Sequence, residues 1–273
     1  MTTLLLTGLP RSGTTLACAL LNTCPDTVAL AEPLRLERHG DRDRAVAEIE
    51  AFLAAARRQL REEGRAPSLH VGGIIPDNWA AEPTAAPGRR PSRAERGLVR
   101  FTQPLSADFH LIVKHPGEFS ALLDLLAPRH PLLALVRDPL AVLASWQTVD
   151  FPVGTGHLPV AEAFNPELAA LLAGIDRPLA RQVALLDWLL RRYLALLGPE
   201  RILRYEDLTT DPAAVLARFG VQPPAAGRTL APLDPARRYP SVDLRPLAAA
   251  LLPIAPACEP FYPGFAAALH RRL

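Results

Sequence analysis

Residues 3–16 read Thr-Leu-Leu-Leu-Thr-Gly-Leu-Pro-Arg-Ser-Gly-Thr-Thr-Leu, and no other stretch limits the possible folds of this chain so sharply. A short apolar strand, Leu4–Leu6, runs into a loop framed by Gly8 and Gly13. A helix follows at once, with Ala17, Ala19, Leu20 and Leu21 as its apolar content. Such a turn aims free backbone N–H groups and the positive end of a helix dipole at one point, the geometry that binds phosphate. The two glycines allow close backbone approach, and the Thr14 and Thr15 hydroxyls are placed to donate to the same anion. Phosphate loops of nucleoside triphosphatases share the Gly-x-x-x-x-Gly spacing but continue with Lys and then Ser or Thr. Here Gly13 is followed by Thr14, and the one cation in the loop is Arg11. A site that hydrolyses ATP or GTP is therefore disfavoured.

Pro131–Val136 is a continuous apolar run suited to a buried parallel strand. It ends in Arg137-Asp138-Pro139 and enters a helix through Leu140, Val142, Leu143 and Trp146. Ser145 lies about two turns into that helix, within reach of the strand end if the helix packs close. These residues predict a second anion site, separate from the first loop. Two other strand ends carry chemistry. Phe109–Lys114 delivers Lys114-His115-Pro116, and the second strand ends in Ala31-Glu32-Pro33. In doubly wound sheets ligands collect at the carboxyl ends of strands, so all these groups are expected beside the phosphate loop.

Taken together, these residues carry a family resemblance. Leu9-Pro10-Arg11-Ser12-Gly13-Thr14-Thr15 resembles the 5′-phosphosulfate loop of sulfotransferases that use 3′-phosphoadenylyl sulfate (PAPS). Arg137-Asp138-Pro139 with Ser145 resembles their 3′-phosphate motif, including the eight-residue spacing. Arg204-Tyr205-Glu206-Asp207-Leu208 is similar to a family segment whose tyrosine lies near the adenosine. The three motifs occur in the family order between residues 5 and 208.

The resemblance implies a three-layer αβα fold around a parallel sheet. It also implies in-line transfer of a sulfuryl group from PAPS to an acceptor hydroxyl or, less favoured, an amine, with adenosine 3′,5′-bisphosphate (PAP) as product. Pro10, Arg11, Ser12, Gly13, Thr14, Thr15, Arg137, Ser145 and Tyr205 would then hold the donor. By the same resemblance Lys114 stabilises charge on the transferring group. Glu32 stands where some members carry a catalytic glutamate, and His115 competes with it as the base, Glu32 being preferred. Arg237-Arg238-Tyr239 is the nearest candidate for a segment closing over the 3′-phosphate, although the family's Arg-Lys-Gly pattern is absent.

By analogy with phosphoryl transfer, the chemistry needs positioning, a positive field and one base, the field coming from Arg11, Lys114 and the loop amides. No metal is expected, since no His, Cys, Asp or Glu cluster has ligand spacing. Two other readings remain open: a P-loop kinase of small molecules, disfavoured by the missing Gly-Lys pair, and a nucleotide-binding module without catalysis. The acceptor itself is not legible beyond a small molecule or carbohydrate.

With 273 residues and no repeat or clear linker, one domain spanning 1–273 is expected. A net charge of +2 is too mild for a nucleic-acid partner and suits a protein with one local basic pocket. No apolar stretch approaches the roughly 20 residues of a membrane span. No basic segment precedes the first strand, so a signal peptide is not expected. Cys18, Cys24 and Cys258, an odd set without metal spacing, read as reduced thiols of a cytoplasmic protein. Of the basic residues only Lys114 is lysine.

The alternation of apolar and polar segments predicts strands at 3–7, 28–31, 109–114, 132–136 and 201–205. It predicts helices at 13–22, 43–63, 118–127, 138–148, 178–197, 211–219 and 264–272. Residues 64–108, with the run Arg89-Arg90-Pro91-Ser92-Arg93, and residues 150–177 break the rhythm. Loops that long in a compact domain usually bind something or move, so both are read as acceptor-side loops or lids. For the arginine run a solvated face is an equal alternative.

Overall fold

The five apolar runs expected as strands lie side by side in one parallel sheet. The computed structural model describes residues 3–37, 40–81, 89–225, 228–230 and 234–273. In chain order the first half comprises β1 (Thr3–Gly8), α1 (Thr14–Leu21), β2 (Thr27–Ala31), α2 (Arg42–Glu63), β3 (Arg65–His70), β4 (Glu95–Arg100) and β5 (His110–Lys114). Then follow α3 (Pro116–Ala121), α4 (Leu123–Leu126), β6 (Leu132–Val136), α5 (Pro139–Gln147), α6 (Pro159–Phe164), α7 (Pro166–Ala173) and α8 (Pro178–Leu196). The remainder is β7 (Ile202–Arg204), α9 (Tyr205–Thr210), α10 (Pro212–Ala217), α11 (Pro235–Arg238), α12 (Leu244–Leu251), α13 (Ala255–Cys258) and α14 (Phe265–His270).

The sheet order is β2-β5-β1-β6-β7, all neighbours parallel. Side chains alternate across a strand, and here both faces are apolar. Leu5, Val28, Leu30, Leu111, Val113 and Leu132 join one core, shared with α2, α3, α5, α8 and α12. Leu4, Leu6, Ala29, Ile112, Leu133 and Leu135 join the other, covered by α1, α9 and α10. Helices on both faces explain why these strands read as unbroken apolar runs rather than alternating ones. The result is a three-layer α/β architecture. No described helix is long and apolar enough to cross a membrane.

Four segments depart from the expected pattern. The helix expected over 118–127 breaks at Leu122, whose backbone (φ −110°, ψ 20°) leaves helical geometry. The break lets Phe119, Ala121, Leu122, Leu123 and Leu126 all bury, more than one stripe of a straight helix presents. The expected fifth strand stops at Arg204, because Tyr205 already starts α9.

The stretch 64–108 holds an antiparallel pair, β3 with β4, in which Arg65 faces Arg100 and His70 faces Glu95. Its periodicity was hidden by Pro67, Gly97 and the many arginines. Residues 82–88 of that stretch lie outside the described residues. Residues 150–177 hold a 3-10 turn at Pro152–Thr155, then α6 and α7, each begun by a proline at its first position.

Candidate active site

The loop between β1 and α1 is anchored from below. The Ser12 hydroxyl donates to the Leu135 carbonyl at 2.7 Å, and the Trp146 indole N–H donates to the Pro10 carbonyl at 2.9 Å. Gly8 has φ +154°, and a Cβ there would overlap the Leu135 carbonyl oxygen. Gly13, at φ +96°, lets the Tyr205 ring pack directly on the backbone, where a Cβ would collide with ring atoms. Helix α1 then starts with no side-chain cap. Its first-turn N–H groups have no partner within the helix, so the positive end of α1 opens onto the space lined by Gly13, Thr14 and Thr15. Ser12, expected to touch a ligand, instead spends its hydroxyl on holding the loop.

The two anion sites expected as separate are one continuous surface. Arg11 Nε donates to Ser145 Oγ at 3.2 Å, and Arg137 Nη1 donates to the Arg11 carbonyl at 3.4 Å. Helix α5 starts directly at Pro139, capped by the Asp138 carboxylate accepting from the Ala141 N–H. Ser145 nevertheless reaches the loop, because α5, buried from Pro139 to Trp146, packs into the same core as the sheet. Arg137 lies over the Tyr205 ring at 4.6 Å and donates to the Tyr239 hydroxyl at 3.1 Å. Arg238 donates to the Tyr205 hydroxyl at 3.3 Å. No described carboxylate pairs with Arg11, Arg137 or Arg238. Burial therefore pushes the Arg11 guanidinium down to about 10, with Arg90, Arg137 and Arg238 adding repulsion. Burial works against the Tyr239 phenolate, yet Arg137, Ser145 and Arg238 bring its pKa below the ordinary phenol value.

At the other side of the loop, Ala31 on β2 pairs with Lys114 on β5, which sets Glu32 and Lys114 at adjacent strand ends. The Glu32 N–H donates to the Lys114 carbonyl at 2.7 Å. Lys114, only 1% exposed, pairs with the Glu32 carboxylate and donates to Thr15 Oγ1 at 3.2 Å. Its ammonium also lies 5.5 Å from the Trp79 ring. Burial alone would raise the Glu32 carboxyl, but Lys114 and then His115 hold it below its usual range. The Trp79 indole N–H adds to this by facing Glu32, although it meets no acceptor at full hydrogen-bond geometry. Glu32 sits at φ +46°, a left-handed conformation uncommon for a non-glycine residue, and Arg96 donates to its carbonyl at 2.6 Å.

His115 is placed differently. It is 3% exposed, its Nε2 lies 3.0 Å from the Leu34 carbonyl and its Nδ1 is beside the Glu118 carboxylate. Burial disfavours its charged form, but Glu118 and Glu32 raise its pKa above the usual imidazole value. Both ring nitrogens are thus engaged away from the space that Glu32 and Lys114 share. Arg237 is exposed while Arg238 contacts Tyr205, since consecutive residues on a helix point in different directions.

Several contributors were not legible as site residues. Trp79 sits in a Pro- and Gly-rich stretch and Phe151 stacks under Arg11 at 5.6 Å; Tyr239, expected only as part of the Arg237-Arg238-Tyr239 segment, meets Arg137 and Ser145. Glu206 of the Tyr-Glu-Asp segment braces the site: it accepts from the Asp138 N–H at 3.0 Å and from the Tyr262 hydroxyl at 2.8 Å. For Trp79 and Phe151 the signal was an aromatic side chain in a chain with 6% aromatic residues.

Arg11, Glu32, Trp79, Lys114, Arg137 and Tyr205 all line one cavity of about 540 Å³ at the carboxyl ends of the strands. Among the described residues no group of three or more His, Cys, Asp or Glu side chains is arranged to hold a metal. No curated protein sequence matches the chain. The sulfotransferase domain of a Synechococcus olefin synthase aligns with 95% of this chain and 94% of its own at 19% identity, with a TM-score of 0.42. A Mycobacterium tuberculosis sulfotransferase aligns over 91% and 76% at 13% identity, with a TM-score of 0.34. The model of the sulfotransferase family matches residues 4–219, a span that includes the first loop, Glu32, Lys114, Arg137, Ser145 and Tyr205. The chain belongs to the sulfotransferase family.

Proposed function

We propose that the protein transfers a sulfuryl group from PAPS to the hydroxyl of a small-molecule acceptor. One observation carries this reading. Arg11, Arg137 and Arg238, none paired to a described carboxylate, surround the uncapped start of α1 and share a cavity with the Lys114–Glu32 pair. Such a donor set suits a ligand with two separated anionic groups. The space kept open by Gly13 and the depressed pKa of Arg11, which a bound anion would relieve, fit it as well.

When bound, PAPS supplies the activated sulfuryl group. Arg11 and the first-turn amides of α1 hold the phosphosulfate end. Arg137, Ser145 and Arg238 hold the 3′-phosphate, with the Tyr239 hydroxyl orienting Arg137. Tyr205 keeps the loop and Arg137 in register. Lys114 stabilises charge that develops on the transferring group. Glu32 receives the acceptor's hydroxyl proton on its carboxylate. An anion drawn against Lys114 competes with Glu32 for the same ammonium, and Glu32 becomes more basic as it loses that partner. His115 supports this arrangement by tying the start of α3 to the Leu34 carbonyl.

Calorimetric titration with PAP, ATP and AMP in metal-free buffer tests the reading. PAP should bind tightly, and Arg137→Ala should weaken that binding by about 10–100-fold. Stronger binding of ATP than of PAP, enhanced by Mg²⁺, would assign the site to a kinase instead.

A further inference from the structure

The long stretch between α2 and β5 was expected to carry an acceptor-side loop, and it delivers one side chain that the chemistry above leaves unused. Trp79 stands at the cavity wall with Glu32 and Lys114. Its backbone is fixed: the Arg93 N–H donates to the Trp79 carbonyl at 2.9 Å, and Ala80 bridges Ser92. Arg90 ties that segment in turn to the backbone of Thr148 and Asp150 after α5. The residue is 6% exposed, and the Lys114 ammonium lies 5.5 Å from the centre of its ring.

An indole nitrogen can only donate, and buried indole N–H groups usually find an acceptor. This one is shielded from solvent and has none at hydrogen-bond geometry. The ionised acceptor it faces is the Glu32 carboxylate. The other groups around that residue are Lys114 and His115 at the end of β5, Cys18 of α1, and Arg96 of β4, which donates to the Glu32 carbonyl. Among the described residues Lys114 is the one side chain that donates to the carboxylate at full geometry, on Oε1. A carboxylate has about four lone-pair sites, so a second donor still leaves room for an incoming hydroxyl.

We propose that Trp79 is a positioning residue: its indole N–H closes on the Glu32 carboxylate when an anion in the cavity draws Lys114 away, and so keeps the base aimed as it receives the acceptor's proton. This rests on the sulfotransferase reading above. An ammonium holds a carboxylate firmly but suppresses its basicity. A neutral indole orients the same group through a weaker hydrogen bond, and Glu32 stays ready to take a proton. Lys114 already reaches toward the anion, since it donates to Thr15 Oγ1 in the first turn of α1.

The test follows the Glu32 carboxyl by ¹³C NMR of the full chain labelled in its glutamate side chains, the resonance being assigned by its absence in Glu32→Gln. Trp79→Phe keeps an aromatic ring beside Lys114 and removes the donor. It should make Glu32 hold its proton about 3–10-fold more tightly, part of the strength of a hydrogen bond to a charged group. In a Lys114→Met background the same change should have a larger effect, because the indole is then the donor that remains. The indole N–H resonance that Trp79→Phe removes should move as Glu32 titrates and stay still in Glu32→Gln. An unchanged proton affinity in Trp79→Phe, an effect no larger in Lys114→Met, or an indole resonance blind to Glu32 overturns the positioning role and leaves Trp79 as packing. PAP titrated into the same samples separates the two readings. PAP binding without the Trp79–Glu32 coupling overturns the positioning role alone. Coupling without PAP binding supports that role and overturns the donor reading alone.

Discussion

Arg11 Nε donates to Ser145 Oγ at 3.2 Å, so a loop at the start of the chain and a helix 134 residues later meet in a single side-chain contact. That contact makes one anion-binding surface out of two motifs, and it puts Arg137 beside both. Binding of a two-ended anion should therefore depend on each part of the surface.

Arg137 stacks on Tyr205 and donates to Tyr239, geometry available to a planar guanidinium and not to an ammonium. Arg137→Ala should weaken PAP by about 10–100-fold, the scale of a lost charge-assisted hydrogen bond. Arg137→Lys should recover only a small part of that loss. Calorimetric affinities of the two variants measure both.

Glu32→Gln should lower turnover about 10²–10⁴-fold with any accepted alcohol, the usual contribution of a general base. PAP affinity should change little, because the amide keeps the shape of the carboxylate and Lys114 remains. His115→Ala should lower thermal stability more than turnover per folded molecule. Near-normal turnover in Glu32→Gln, with His115→Ala inactive, would transfer the role of base to His115.

The His115–Glu118 contact should be visible in the pH dependence of stability. Burial opposes the imidazolium, but Glu118, Glu32 and the Leu34 carbonyl raise the folded pKa above 6.5. A raised folded pKa contributes stability that is fully present below the unfolded value and lost as pH rises through the folded one. The melting temperature should accordingly exceed that of Glu118→Gln most at pH below about 6.5. The gap should narrow at higher pH. A gap that widens with pH would contradict the assignment. Glu32, whose pKa is depressed, has the opposite sign: its contribution is present above the unfolded carboxyl value and fades as pH falls through the folded one.

Gly13→Ala should destabilise the fold by about 1–3 kcal/mol, the range for a non-glycine residue forced into an unfavourable backbone region. Part of that cost comes from the Tyr205 ring, which the new methyl would meet. In a Tyr205→Ala background the same substitution should cost less. Chemical denaturation of the four proteins of this cycle gives the coupling directly.

Much of the scaffold could be read locally. Strands such as Leu132–Val136 are continuous apolar runs because helices cover both faces of the sheet, and burial on both faces leaves a mark in every residue. The hairpin of β3 and β4 left no such mark. It is largely exposed on one side and interrupted by Pro67 and Gly97, so its pairing depends on partners about 30 residues apart.

The site divides in the same way. Gly8, Arg11, Gly13, Lys114 and Arg137 were legible because strand ends and a strand–loop–helix turn place them by local geometry alone. The union of the two anion motifs, the Lys114–Glu32 pair, the withdrawal of His115 to Leu34 and Glu118, and the entry of Trp79 and Phe151 were decided only in three dimensions. Each depends on which strands become neighbours and how close the packed helices approach, and those distances are set by the whole core rather than by any one segment.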